Sequence, residues 1–176
     1  MNVLINELKT RARLWLTLLQ SDNANARKRA QVLCRQHRWD IPDGWQLRHC
    51  LNLAAADIGF SHWEHARHVL SGQAQAGDDM GDFWHGPEVA GLSNLWYANY
   101  ADADKQLQVD PHLYLLPYRR QFMLVSTHYL EALQLNLDAG LWHGLQRNLT
   151  LAYATPAWQA LALQRLQTSR VGRFAQ

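Results

Sequence analysis

The chain has 176 residues, of which 48% are hydrophobic and 18% are charged, and its formal charge is +2 with histidine neutral. This balance excludes a disordered or polyelectrolyte chain, and a chain of this length buries about 70% of its unfolded surface. The sequence shows neither a run of about 18 apolar residues nor an N-terminal signal sequence, so we expect a cytoplasmic protein without a membrane partner.

Four amphipathic helices are predicted in the first 70 residues, because apolar residues recur there every three or four positions. These helices cover residues 3–20, 22–37, 45–58 and 61–70, and we expect Ser21 or Asp22 to cap the second helix and Ser61 to cap the fourth. Asp40–Gly44 has the composition of a turn, and Gly59 suits the position after a helix C-terminus. Cys34 and Cys50 lie in apolar helical patterns, far from a Cys-x-x-Cys spacing, which predicts two buried thiols in a reducing compartment.

The second half of the chain begins after a segment that is poor in core residues. Residues 72–81 contain three glycines, which predicts a linker between an N-terminal subdomain (1–71) and a C-terminal subdomain (82–176). Further helices are predicted over residues 93–107, 127–137, 138–148 and 156–169. Residues 112–125 are the only strand-like stretch, and Pro117 near their centre indicates a bent strand or a short hairpin.

Together these elements predict an all-α or nearly all-α fold. We expect a bundle of seven or eight helices in two packed halves, with room for one short β-hairpin near residues 112–125. The helix signals cover more than half of the chain, well above the average of about a third. The expected helix content is therefore the most direct check of the fold class.

The charge distribution leaves nucleic-acid binding open as a function, but the residue pattern of the helix-turn-helix candidate does not favour it. Residues 1–72 carry a net charge of +4, and residues 51–70 resemble a helix-turn-helix with Gly59 at the turn. A recognition helix should then bury the positions that His65 and His68 occupy, and its first turn lacks the Arg, Asn or Gln that read bases. An ordinary helical hairpin is the alternative that we keep.

Two sets of short motifs carry a resemblance to known sequences. The first set is Leu8-Lys9, Ala12-Arg13, Leu51, Ala55, Gly59-Phe60 and Trp63, and the second is Asn94–Trp96, Tyr100 and Leu115–Arg119. The first set resembles a small helical module that is labelled glyoxalase-related in bacterial proteins, and the second is similar to an uncharacterised bacterial family of about this size. The resemblance implies no catalytic residues, because the chain lacks the repeated βαβββ units that house the glyoxalase metal site.

Two imidazole–carboxylate pairs are candidates for a metal site. Asp82 and His85 are three residues apart, as are His128 and Glu131, so each pair spans about one helical turn. Carboxylate-bridged metal sites in helical bundles use this spacing, which suggests a divalent metal as a cofactor. Solvent-facing histidines are the alternative, because nine histidines in 176 residues produce such pairs by chance.

Aromatic and arginine side chains form the third candidate site. The predicted binding residues are Trp84, Trp96, Tyr100, Tyr118, Arg119 and Arg120. Aromatic residues beside arginine are typical of binding hot spots, although they also fill small helical cores. If residues 112–125 are extended, the side chains of Arg119 and Arg120 point to opposite sides of the strand. We expect one to pair with a nearby carboxylate (Asp102, Asp104 or Asp110) and the other to be open to an anion or partner.

The sequence supports one leading function and two alternatives. The leading hypothesis is a non-catalytic binding module that engages a protein partner or a small ligand through its aromatic and arginine-rich second half, with a homo-oligomer left open. The first alternative is a metal-dependent or histidine-based enzyme that uses Asp82, His85, His128 and Glu131. The second is a DNA-binding regulator that uses the helix-turn-helix at residues 51–70.

Overall fold

The computed structural model describes residues 2–174, with side chains through residue 169. The helices in this range are α1 (Val3–Gln20), α2 (Ala24–His37), α3 (Leu47–Asp57), α4 (Trp63–Leu70), α5 (Tyr100–Val109), α6 (Thr127–Ala132), α7 (Ala139–Gly144) and α8 (Pro156–Phe174). The molecule is 54% helical, which confirms a mostly helical fold. None of the helices in the described range combines the length and the apolar character needed to span a bilayer.

A small antiparallel sheet interrupts the helices. Its strands are β1 (Leu95–Tyr97), β2 (Tyr114–Tyr118) and β3 (Gln121–Val125), in the order β1-β3-β2. The predicted hairpin is therefore confirmed, with a two-residue turn at Arg119 and Arg120 between its strands. The fold is not purely all-α, because β1 adds a third strand.

The strand β1 corrects the prediction of a helix over residues 93–107. Only its second part is helical, because Asn99 caps α5 by accepting a hydrogen bond from the Asp102 N–H at 2.9 Å. The residues before this cap, including Trp96 and Tyr97, pair with β3. Aromatic side chains suit a half-buried strand, and β3 provides the partner that the local sequence could not reveal.

Most helices begin or end a few residues away from the predicted positions, because other residues cap them. The helix α2 begins after Asn23, whose side chain accepts from the Ala26 N–H, and not after Ser21 or Asp22. The prediction at α8 is confirmed, because the Thr155 hydroxyl accepts from the Trp158 N–H at 3.3 Å. The predicted helices at 127–137 and 138–148 are each shorter, as α6 and α7.

The N-terminal helices bury a charged cluster as well as apolar side chains. Arg11 on α1 is 1% exposed and donates to Asp57 at 2.9 Å, and Arg29 on α2 donates to the other carboxylate oxygen at 3.0 Å. Ion pairing and hydrogen bonding offset the cost of burying these charges. Cys34 and Cys50 are buried nearby as predicted, and burial raises the pKa of Cys50 to about 11.

The predicted linker is packed against the rest of the protein. The N–H of Ala74 donates to the Tyr153 hydroxyl at 3.1 Å, and the N–H of Met80 donates to the carbonyl of Arg119 at 3.0 Å. One hydrophobic core extends from Leu4 on α1 to Leu166 on α8. The division into 1–71 and 82–176 stays a prediction, but the two stretches share this core.

Candidate functional site

The sheet sorts the predicted binding residues onto its two faces. Trp96 pairs with Met123 on β3, and Tyr97 pairs with Phe122 one position along. Because side chains alternate along a strand, Trp96 and Tyr118 project from one face, whereas Phe122 projects from the other. The turn between β2 and β3 lies at the end of the hairpin, where the two faces of the sheet meet.

On the first face, His85 is the centre of an aromatic cluster. The Tyr129 hydroxyl donates to the carbonyl of Trp84 at 2.6 Å, so it accepts the bond from His85 Nδ1 at 2.9 Å. Burial lowers the pKa of His85, which keeps this imidazole neutral with its proton on Nδ1. Nε2 of His85 makes no hydrogen bond to any described residue.

Two predicted residues complete this cluster at the surface. The ring centroids of Trp96 and Tyr118 are 5.0 Å apart in an edge-to-face arrangement, and both rings pack edge-on against His85. The guanidinium of Arg119 lies 5.1 Å from the Tyr118 ring centroid. The cluster is packed within itself, and Trp96 remains 45% exposed at its edge.

Trp84 does not belong to this surface. It is 2% exposed and packs edge-to-face against Phe83 and Trp158, so the prediction that it lines an exposed pocket is wrong. The loop position beside Gly86 suggested exposure, but the loop turns inward. Arg165 donates to the carbonyl of Phe83 at 3.2 Å and thereby satisfies the buried backbone.

Arg119 is the arginine that has a carboxylate partner. Its Nε and Nη2 atoms donate to the two oxygens of Asp82 at 2.6 and 3.1 Å, and this bidentate pair raises the pKa of Arg119. The acceptor is thus Asp82 and not one of the three aspartates expected from the sequence. The backbone of Arg119 has φ of 51°, a left-handed turn conformation held by hydrogen bonds to Met80 and Gly81.

Arg120 borders an apolar cavity of about 430 Å³ on the second face of the sheet, which we name the hairpin cavity. Its lining residues are Ala74, Gln75, Ala76, Gly77, Asp78, Met80, Tyr100, Pro117, Arg119, Arg120, Phe122, Thr150, Leu151 and Tyr153. Arg120 donates from Nη1 to the carbonyl of Gly77 at 2.9 Å and makes no ion pair with any described residue. Of the two arginines in the turn, Arg119 has the carboxylate partner, and the expectation that the other arginine is open to an anion stays a prediction.

The four candidate metal ligands have other partners. Asp82 binds Arg119, His85 binds Tyr129, and His128 contacts Glu131 at 3.4 Å on the exposed face of α6. Within residues 2–174, no group of three or more His, Cys, Asp or Glu side chains is placed to hold a metal ion. His128 and Glu131 contact each other on α6, whereas Asp82 and His85 lie in a loop outside the helices and bind different partners.

A second cavity, which we name the polar cavity, has a volume of about 360 Å³ and lies on the other side of Arg119. Ser61, His65, Asp79 and Asp82 line it together with Arg119. Ser61 was expected only to cap a helix, and Asp79 was assigned to the linker. A serine four residues before a histidine is the sequence signal for this pair, because Ser61 lies two residues before α4 and His65 lies in its first turn.

Comparison of the chain with protein-family models, with curated proteins and with solved structures found no match. The resemblances drawn from short motifs therefore stay expectations. Function has to be argued from the geometry of the two cavities and of the aromatic cluster between them.

Proposed function

We propose that the protein binds a small organic anion with an apolar body, and that the hairpin cavity is its site. The observation that carries the proposal is Arg120, a cation without a carboxylate partner at the edge of an apolar cavity. Of the predicted binding residues, Tyr100, Arg119 and Arg120 line this cavity, whereas Trp96 and Tyr118 lie on the other face of the sheet. The proposal names a small ligand and not a protein partner, because the site is concave.

The size and lining of the hairpin cavity suit such a ligand. Small-molecule sites enclose about 300–1,000 Å³, are mostly apolar and carry a few polar groups that orient the ligand. Pro117, Phe122, Leu151 and Tyr153 supply apolar and aromatic surface here. Burial of the ligand body against this surface would supply most of the affinity, at about 25 cal/mol per Å² of apolar area.

The charges around the cavity favour an anion. Arg119 is paired with Asp82. The cavity's own carboxylate, Asp78, lies within electrostatic reach of Arg120, but it accepts its hydrogen bonds from His68 Nε2 at 3.0 Å and from the Gln75 N–H at 2.9 Å. These contacts hold the pKa of Asp78 below its usual range, with the His68 hydrogen bond as the main cause. Arg120 is left with donors that can form a bidentate contact with a carboxylate or sulfonate.

The test uses an anionic fluorescent probe and its neutral counterpart. Titration with 8-anilinonaphthalene-1-sulfonate should show saturable binding to the native protein, and Arg120→Gln should weaken it about tenfold, the effect of losing one charge-assisted contact. N-phenyl-1-naphthylamine, which lacks the sulfonate, should bind the wild type and Arg120→Gln with equal affinity. Arg48→Gln, which changes an exposed arginine far from the lining residues, is the matched control.

A second variant tests the location of the site. Ala76 is an exposed residue of the cavity wall, and Ala76→Trp places a bulky ring there. Both probes should then bind more weakly. Equal affinity of the anionic probe for wild type, Arg120→Gln and Ala76→Trp would overturn the proposal.

A further inference from the structure

We propose that Ser61 and His65 form an acyl-transfer site in the polar cavity, with Ser61 as the nucleophile and His65 as its general base. The substrate class is a small carboxylic ester. This inference goes beyond ligand binding in the hairpin cavity and rests on different residues. A nucleophile is recognised by a base within hydrogen-bond reach and by a third group that orients the base.

The geometry holds His65 in the tautomer that a base requires. The Ser61 N–H donates to His65 Nδ1 at 3.1 Å, so this nitrogen carries a lone pair and no proton. Nε2 of the same ring donates its proton to the carbonyl of Asp79 at 2.7 Å, and the Asp79 carboxylate lies 3.9 Å from it. The Ser61 hydroxyl lies 2.9 Å from His65 Nδ1, within reach of proton transfer.

The nucleophile is accessible and its base is not. Ser61 is exposed and borders the polar cavity, whereas the His65 side chain is only 13% exposed and packs edge-to-face on Phe60. His62 Nδ1 lies 2.7 Å from the same hydroxyl oxygen. Because a hydroxyl has one proton and His65 Nδ1 is an acceptor, His62 contributes best as a donor to that oxygen.

Arg119 supplies an N–H donor to the same cavity. Asp82 holds its Nε and Nη2 atoms, and Nη1 makes no hydrogen bond to a described residue. Although the charge of Arg119 is paired with Asp82, an N–H donor at the border of the cavity can hydrogen-bond the oxyanion that develops on an ester carbonyl during attack. The cavity thus combines a nucleophile, an oriented base and an N–H donor.

The reaction divides into two balanced steps. In acylation, Ser61 Oγ bonds to the carbonyl carbon, its proton passes to His65 Nδ1, and the carbon–oxygen bond to the leaving alcohol breaks as the alcohol takes that proton. In deacylation, water attacks the acyl group on Ser61 and gives a proton to His65 Nδ1. Ser61 Oγ recovers this proton, and a carboxylic acid is released. Neither step requires an oxidant or a reductant.

The competing interpretation is that the contacts between Ser61 and His65 only stabilise the turn before α4, whose N-cap is His62. The chain offers a matched control for this, because Ser71 ends the same helix, and its hydroxyl donates to the backbone carbonyls of Arg67 and His68 without contacting a histidine side chain. His65→Gln separates the two roles. A glutamine at this position accepts from the Ser61 N–H as in a capping box, but it cannot act as a base.

The experiment measures acylation of the full-length protein by p-nitrophenyl acetate, with the acetylated residue located by mass spectrometry. The proposal predicts acetyl-Ser61 in the wild type and in Ser71→Ala, and none in Ser61→Ala. His65→Gln should fold normally and acylate about a hundredfold more slowly, the usual contribution of a general base. Circular dichroism and urea unfolding confirm the fold of each variant.

Two outcomes would overturn the proposal. One is a wild-type protein in which Ser61 is not acetylated, which is what a purely structural role predicts. The other is acetylation of Ser61 at the same rate in wild type and His65→Gln, which would show an unactivated hydroxyl. Release of p-nitrophenol that persists in Ser61→Ala measures background reaction at other histidines and is subtracted.

Discussion

The two cavities on either side of the hairpin turn differ in how their charges are partnered. In the polar cavity, Arg119 is held by Asp82, and His65 is held by Ser61 and the carbonyl of Asp79. In the hairpin cavity, Arg120 donates to a backbone carbonyl and makes no ion pair with a described residue, and the nearby Asp78 carboxylate is hydrogen-bonded to His68 and to the Gln75 N–H. Paired charges orient side chains for chemistry, whereas an unpaired charge beside apolar surface is suited to recognise a ligand.

The walls of the two cavities also differ in how closely other atoms approach their glycines. Gly59 and Gly81, which line the polar cavity, approach each other so closely that a Cβ on Gly81 would lie 2.6 Å from the Gly59 carbonyl oxygen. Gly77, which lines the hairpin cavity, has no atom within 4 Å of its Cβ position. The backbone of the polar cavity is therefore closely packed at Gly81, whereas the wall of the hairpin cavity is open at Gly77.

The largest expected effect tests this difference in packing around the two glycines. Gly81→Ala should lower the free energy of unfolding by about 3 kcal/mol, because a left-handed backbone (φ 68°) and a steric clash act together. Gly77→Ala has a positive φ of 90° without the clash and should lose only about 1 kcal/mol. Urea unfolding followed by circular dichroism measures both. Equal losses in the two variants would contradict the claimed difference between the walls.

The next effect is a gain in stability at the hairpin cavity. The Thr150 hydroxyl is buried without a hydrogen-bond partner among the described residues, which costs about 1–3 kcal/mol. Thr150→Val keeps the shape and should raise the free energy of unfolding by about 1 kcal/mol. The matched control is Thr155→Val, which removes the capping hydroxyl of α8 and should lower stability by about the same amount. A loss of stability in Thr150→Val would show that this hydroxyl has a partner.

A smaller effect separates the two arginines. Arg119→Gln removes the bidentate pair with Asp82 and should lower the free energy of unfolding by about 0.5–1 kcal/mol, as is usual for a partly exposed ion pair. Arg120→Gln should change it by less than about 0.5 kcal/mol. Thermal and urea unfolding of the two variants, measured alongside probe binding, compare their roles. A larger stability loss in Arg120→Gln would assign Arg120 to the fold.

The smallest effect concerns the aromatic cluster between the cavities. Burial lowers the pKa of His85 in the folded protein, so the unfolded chain binds this proton more readily. The resulting stability is present above about pH 6.5 and is lost as the pH falls through the lowered pKa. His85→Gln keeps an N–H donor for Tyr129 and should make the loss of stability with falling pH shallower. An unchanged slope from pH 7 to 5 would contradict this assignment.

Sequence patterns anticipated the parts of the fold that depend on neighbouring residues. The start of α8 at Thr155-Pro156, the glycine that follows α3 and the hairpin at residues 112–125 were all predicted, because capping and turn chemistry act over a few positions. The strand β1 was not predicted, since three residues have no strand signal until β3 is beside them.

The candidate sites were only partly predictable for the same reason. Tyr118 and Arg119 were singled out by type, but the partner of Arg119 is 37 residues away in the chain. Ser61 and His65 were adjacent on a predicted helix, yet only the packing of residues 79–82 against that helix orients the imidazole. Trp84 was misassigned because its burial depends on α8, far along the chain.

The amino-acid sequence by itself determined that this chain is mostly helical, where α1 and α8 begin, and which residue types could recognise an anion. Only the tertiary structure decided which charges are paired, because a carboxylate partner is selected by distance in space and not by position in the chain. That selection left Arg120 open at one cavity and fixed Arg119 at the other, and it is the basis of both proposals.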